Sequence, residues 1–285
     1  MPTLLDFRRR IRSVKNTQQI TRAMKFVAAA RLRRAQEAAL AARPYALELA
    51  RVLRSTMSRI DEPQHPLLSK RPEERILAIV LTGERGLAGA FNTNILKKAA
   101  EFFKTQKGKQ LSIVPVGKKG RDSLRRAGAN ILTEYINVLA KVSLSTARDI
   151  STLVTDLYAK NEIDAVYLVF SEFKSVMTAN LAVEKLLPVE SMAASESESQ
   201  IDYIYEQPEE QLLDKLLPRY IETQVLRAML ESSASEYAAR MTAMESATKN
   251  AGEVIQALTL HMNKVRQAAI TKEIIEIISG ASSTA

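Results

Sequence analysis

The 285-residue chain has no cysteine, no tryptophan and only two histidines, His65 and His261. Without cysteine there are no disulfides, no thiolate metal ligands and no thiol redox switch. Two histidines so far apart argue against a histidine metal cluster, and no clustered carboxylate motif supplies a catalytic constellation. No run approaches the ~20 uncharged apolar residues of a membrane helix. Arginines begin at Arg8, where a signal peptide would carry its apolar core. The expectation is a soluble, intracellular protein without direct membrane insertion, metal or cofactor. Proline and glycine are scarce at both ends: the first 43 residues hold only Pro2, and Arg219 to Ser279 hold Gly252 and no proline.

What is present at those ends is a seam. Met241, Met244, Thr248, Ala251, Ile255, Leu258, Met262, Val265 and Ala269 follow in alternating steps of three and four, the spacing of a coiled coil. As one helix, Arg219 to Ser279 would extend roughly 90 Å at 1.5 Å per residue, too long for a compact domain to bury. Leu4, Phe7, Ile11 and Val14 keep the same spacing. Polar Gln18 and Thr21 interrupt it before Met24, Ala28, Leu32, Ala35, Ala39 and Ala42 resume it. The two ends should therefore pair antiparallel, and the polar interruption is expected to face something other than the partner helix. Pro44 should kink or end the first helix, because it lacks an amide donor and crowds the preceding turn; a further helical stretch over Tyr45 to Arg59 is compatible with it.

Charge divides the chain as well. Residues 1–60 carry 14 Arg and Lys against Asp6, Glu37 and Glu48, a net +11, so the remainder is −2. Residues 190–214 hold Glu190, Glu196, Glu198, Asp202, Glu206, Glu209, Glu210 and Asp214 with no Lys or Arg. A basic shaft and an acidic patch imply different partners.

Between the ends the pattern changes. Asp61 to Pro72, with three prolines, reads as a linker. Ile76 to Leu81 is an apolar run of strand length, followed by glycines and a helical pattern over Asn94 to Thr105. Leu111 to Val116 and Lys118 to Arg126 repeat the theme. Ile131 to Ile136 reads as a third strand, Thr146 to Lys160 as a helix, and Ala165 to Phe170 as a strand beside which Leu181 to Leu186 could pair. Ser191 to Ser199 reads as a flexible loop. The fold class is thus α/β: a long antiparallel coiled coil of N- and C-terminal helices plus a central α/β domain with a largely parallel sheet. The expected segments are a helix over 1–60, a linker over 61–74, a globular domain over 75–208 and a second helix over 209–285.

Thr82 to Asn92, TGERGLAGAFN, lies between a strand and a helix, where phosphate loops occur. Its glycines fall as G-x-x-G-x-x-G, which matches neither the dinucleotide nor the P-loop spacing, so tight packing explains them better than nucleotide binding. The methionines at 241, 244 and 262 read as seam packing, and His261 as solvent-facing or hydrogen-bonded. The basic N-terminal helix could track nucleic-acid phosphates, but its apolar seam calls for a helical partner and stacking aromatics are few.

IRSVKNTQQITRAMKFVAAARL around Met24, RMTAMESATKNA and NKVRQAAITKEIIEIISGA from Arg240 onwards, and TGERGLAGAFN in the middle together resemble the gamma subunits of the rotary proton-translocating ATP synthase over the whole chain. The resemblance implies a shaft of two antiparallel helices inside a hexamer of alpha and beta subunits. It would transmit torque between a membrane rotor ring of c subunits and catalytic sites on the beta subunits, so the chain itself would not be an enzyme. By matching motif, Met24, Lys25 and Arg240 belong to the region meeting mobile beta-subunit loops. Gln267 and Thr271 belong to an upper catch on the same subunits, and Ile274, Ile275, Ile277 and Ile278 to the apolar tip in the bearing. Tyr203 and Glu206 belong to the foot that meets the ring and the small epsilon-type subunit. Photosynthetic members carry a regulatory insertion, often with a cysteine pair in plants; this chain has neither. The implied place is peripheral, on the cytoplasmic face of a bacterial plasma membrane. Two rival readings follow from the residues: a stand-alone basic coiled-coil adaptor for nucleic acid or protein helices, and an α/β enzyme using the glycine segment 83–89. The first predicts salt-sensitive nucleic-acid affinity, the second nucleotide binding by the isolated chain.

Overall fold

The computed structural model describes residues 3–57, 65–176, 178–189 and 209–283. Its elements run α1 (Leu4–Met57), a 3-10 turn (Pro66–Leu68), β1 (Arg75–Leu81), α2 (Phe91–Thr105), β2 (Gln110–Val116), α3 (Lys118–Arg126), α4 (Leu144–Ala159), β3 (Ala165–Phe173), β4 (Ala179–Leu187) and α5 (Glu209–Ser283). The chain divides into two compact units, one formed by residues up to Ala28 with those from Met241, the other by Ala29–Arg240.

The first unit is two helical segments. Phe7 meets His261 with ring centroids 5.0 Å apart, Thr21 meets Thr248, and Lys25 meets Glu245. As one number rises the other falls, so the segments run antiparallel. All nine C-terminal seam positions from Met241 to Ala269 are buried or half-buried, while most of their neighbours are exposed, as knobs filling the facing helix require.

The polar interruption corrects the sequence reading. Gln18 and Thr21 do face the partner helix: Gln18 Nε2 donates to the Thr248 carbonyl at 3.3 Å, and the Thr21 and Thr248 hydroxyls lie 2.8 Å apart. Thr248 Oγ1 also donates to Met244 O at 2.7 Å. A polar layer is tolerated in an apolar seam when its members satisfy one another, and Gly252 makes room, since a Cβ there would sit 3.1 Å from Gln18 Nε2.

The second unit holds a four-stranded sheet in the order β2-β1-β3-β4. β1 pairs in parallel with β2 and β3, and β4 is antiparallel to β3. Central β1 is buried from Ile76 to Leu81, which is why it reads as a continuous apolar run rather than an alternation. Leu77, Ile79 and Leu81 face α4 and the buried parts of α1 and α5, whereas Ala78 and Val80 face α2 and α3. Asp164 ties the starts of β1 and β3: it accepts from Arg75 N at 2.8 Å and from the guanidinium at 2.6 and 3.1 Å. The Arg75 hydrogen bonds hold its carboxyl below the usual aspartate range against the opposing effect of burial.

Two local expectations change. Ile131 to Ile136 forms only isolated bridges to β2, at Ile113↔Ile131 and Val116↔Tyr135. On that side of β2 the residue between the two bridged regions is Pro115, whose carbonyl accepts from Tyr135 N but whose nitrogen cannot donate. Pro44, in turn, neither ends nor interrupts α1. It and Leu40 are exposed, so water can take the carbonyl left without a partner. Likewise α5 begins at Glu209 and continues through Pro218.

Candidate functional site

In the two-helix unit the outer surface is largely charged, but it also exposes large apolar side chains. Ile20, Phe26 and Val27 on α1, with Val254, Leu260 and Ile270 on α5, are exposed. At the end of α5, Ile274, Ile275, Ile277 and Ile278 are 51–71% exposed. Contiguous apolar exposure of this kind marks a contact surface. Gln267 and Thr271 lie one turn apart on the same exposed stretch. The Thr271 hydroxyl donates to the Gln267 carbonyl at 3.0 Å, an intrahelical bond that a partner could compete for. Met24 is half-buried in the seam, and Lys25 beside it pairs with Glu245 at 2.6 Å on the surface.

Arg240 belongs to the second unit, where its side chain is only 12% exposed. Its Nη2 donates to Glu236 Oε1 at 2.6 Å and to Gly86 O at 3.4 Å, and its guanidinium lies 5.7 Å from the Tyr237 ring centroid. Arg240 thereby ties α5 to the glycine segment. Burial pushes the Glu236 carboxyl up, and the Arg240 guanidinium opposes that shift. Tyr203 and Glu206 lie outside the described residues, as do Ser191 to Ser199.

The glycine segment is a packing joint. Gly83 N donates to Asn92 Oδ1 at 2.7 Å, and a Cβ on Gly83 would come 2.9 Å from the Glu236 carboxylate. Glu84 accepts from Lys118 N at 3.0 Å, at the start of α3, and from Val138 N at 3.1 Å. The Gly83 amide is thus answered by this chain's own Asn92, with the Glu236 carboxylate close by. Thr82 Oγ1 accepts from Gly120 N at 2.8 Å, and Gly117 adopts φ +109 with a hypothetical Cβ 1.9 Å from Thr82 O. Only glycine fits that approach. The spacing of the glycines already argued for packing; the role of Glu84 had no sequence signal, because its partners, Lys118 N and Val138 N, are backbone amides remote in sequence.

Sequence reasoning also missed Glu231 to Ala238, a stretch of α5 rich in Ser and Glu that is buried throughout. Small side chains let the helix approach its neighbours: Ser233 Oγ donates to Leu139 O at 3.1 Å and Ser235 Oγ to Ser171 O at 3.2 Å. The only available signal was the run of small residues.

The family described as ATP synthase matches residues 3–284. The ATP synthase gamma chain of Solibacter usitatus is 51% identical over 286 residues, covering 99% of each chain, and that of Desulforamulus reducens 49% over 282 residues with the same coverage. Among solved structures, a chain of the central stalk and c-ring of Tetrahymena thermophila mitochondrial ATP synthase is 26% identical, covers 80% of this chain and 99% of its own, and superposes with a TM-score of 0.64. A chain of the Euglena gracilis mitochondrial ATP synthase, 21% identical with a TM-score of 0.67 over 99% of this chain and 94% of its own, shares the fold. Matched end to end by the family and by relatives of nearly the same length, the chain belongs to the gamma chains of ATP synthase.

Proposed function

We propose that the chain is the central rotor shaft of a proton-driven ATP synthase, transmitting torque between a membrane ring of c subunits and three catalytic sites on the beta subunits. The observation that carries this reading is an antiparallel helix pair that exposes large apolar side chains along its length and the cluster Ile274, Ile275, Ile277 and Ile278 near the end of α5. A surface of that kind needs a sleeve, and a hexamer of alpha and beta subunits is such a sleeve. No described helix is long and apolar enough to cross a membrane. The chain is non-catalytic: it couples sites that others carry. Segments 1–60 and 209–285 act as the shaft, the linker 61–74 joins the first of them to 75–208, and 75–208 carries the foot. The complex sits on the cytoplasmic face of a bacterial plasma membrane.

Met24, Lys25 and Arg240 face the beta-subunit loops, Arg240 chiefly by fixing the glycine segment from within. Gln267 and Thr271 form a breakable catch, since a hydrogen bond nets only about 1 kcal/mol. A lock of several kcal/mol would slow each step by orders of magnitude. The isoleucine tip turns in an apolar bearing, and Tyr203 and Glu206 contact the ring and the epsilon-type subunit. The rival reading as a stand-alone adaptor for nucleic acid or helices is not supported by the two relatives described above, both of which carry the gamma-chain name.

The test is rotation. Because the chain lacks cysteine, a single introduced cysteine can carry a bead while the chain is assembled with alpha and beta subunits. ATP-driven stepping is the expected result, and ATPase without rotation would overturn the shaft reading. In the Gln267→Ala/Thr271→Ala double variant the dwell times should change; unaltered stepping and catalysis would remove these two residues from the catch.

A further inference from the structure

A cleft of about 850 Å³ opens in the second unit between α1, the β3–β4 pair and α5. It is lined by five basic and three acidic side chains. We propose that this cleft is a binding site for a single oxyanion head, a carboxylate or phosphate, received between Arg43 and Arg227 with Glu231 at its floor.

The argument starts from groups that converge without meeting. Glu231 is 4% exposed, and its Oε2 is buried with no hydrogen-bond partner. Its other oxygen lies 4.0 Å from Arg43 Nη2 and 4.0 Å from Arg227 Nη1, beyond hydrogen-bonding reach of both. An orphaned buried carboxyl oxygen is costly. Burial pushes the Glu231 carboxyl up, toward its neutral form, although Arg227 opposes the shift. In that form its O–H is a donor. The Arg43 and Arg227 guanidiniums, each 4.0 Å from Glu231, thus converge without a hydrogen bond to the carboxyl between them, and an oxyanion placed between them would take up their free donor capacity. A cationic ligand would meet the basic excess of the walls.

Arg227 is pre-positioned for this task. It is bonded to Glu184 and to Gln224 Oε1, at 2.9 Å for the latter, and lies 5.7 Å from the Phe170 ring centroid. Arg43, with 45% of its side chain exposed, stands on the open side. The remaining wall is in part apolar, with Ala46, Leu47, Ala50, Leu186 and Val189, so the oxyanion can be free or can carry a hydrocarbon body.

The experiment is calorimetric titration of the full chain at fixed ionic strength with three probes: sodium octanoate, inorganic phosphate and the uncharged octyl glucoside. At least one of the two anions should bind saturably at one site, and octyl glucoside should not. Octanoate tighter than phosphate by about tenfold assigns the site to amphiphilic anions; equal affinities assign it to free ones. Arg43→Ala should weaken anion binding by about tenfold or more, the loss of a charge-assisted bond. Glu231→Gln, which retains a donor, should preserve it within a few-fold. If Arg43→Ala perturbs the thermal melt, Leu47→Glu supplies the same information by setting a carboxylate at an exposed position of the wall, and it too should weaken binding. Absence of saturable heat with both anions, equal binding of octyl glucoside and octanoate, or an affinity indifferent to the substitutions would overturn the proposal.

Discussion

Two stretches of the same helix invert the usual rule of burial. From Glu231 to Ala238, α5 carries three serines and two glutamates and is buried throughout; from Ile270 to Ile278 it carries five isoleucines and is exposed throughout. Helix propensity is served by both, so the difference lies in their surroundings. The first stretch uses small side chains to let the helix pack closely, and hydroxyls to answer carbonyls of other elements such as Leu139 O and Ser171 O. The second finds no cover among the described residues, and its isoleucines stand exposed. The lesson is that polarity along a helix reports on burial only when the helix has one solvent and one core.

The largest way to break the comparison is to enlarge a small buried residue. Ala234→Leu should cost about 3 kcal/mol, the upper range for overpacking, read as a lower thermal midpoint of the full chain. The converse change sharpens it: Ile275→Asn with Ile278→Asn should leave that midpoint almost unmoved, within about 0.5 kcal/mol for exposed sites, yet reduce retention of the chain by the alpha–beta hexamer in gel filtration. Equal effects of the two changes on the midpoint would dissolve the contrast.

A smaller effect is expected at Glu231. Burial raises its carboxyl above the ordinary glutamate value of 4.5, so the folded chain keeps this proton to higher pH than the unfolded one. Its stabilising contribution is therefore fully present below that ordinary value and is lost as pH rises through the raised one. Glu231→Gln mimics the protonated form, and its thermal midpoint should exceed that of the parent near neutral pH, with the advantage vanishing in acid. Asp164 carries the opposite sign: its lowered value means stability lost as pH falls below the aspartate range. The smallest effect should be Lys25→Ala. The pair with Glu245 is substantially exposed, so the loss should be below about 1 kcal/mol and should fade with added salt.

Much of this was legible in residues alone. The nine seam positions from Met241 to Ala269 announced the helix pair because a three-and-four period has one physical meaning, a stripe that another helix covers. β1 announced itself by a continuous apolar run, and α3 appears over the predicted residues, Lys118 to Arg126. The polar layer was misread because Gln18 and Thr21 look alike whether they face water or each other; Thr248, some 230 residues away, decides. The cleft around Glu231 was invisible for the same reason, since Arg43, Glu184 and Arg227 come from three separate elements.

Local pattern and family resemblance thus determined the helix pair, the α/β character of the middle and the rotor reading, because period, propensity and glycine spacing are properties of neighbours in the chain. Tertiary structure alone decided that Arg240 holds the glycine segment, that a Ser/Glu-rich stretch is buried and that Gln18 faces Thr248. Those outcomes depend on distances between residues remote in sequence, and no periodicity within one segment encodes them.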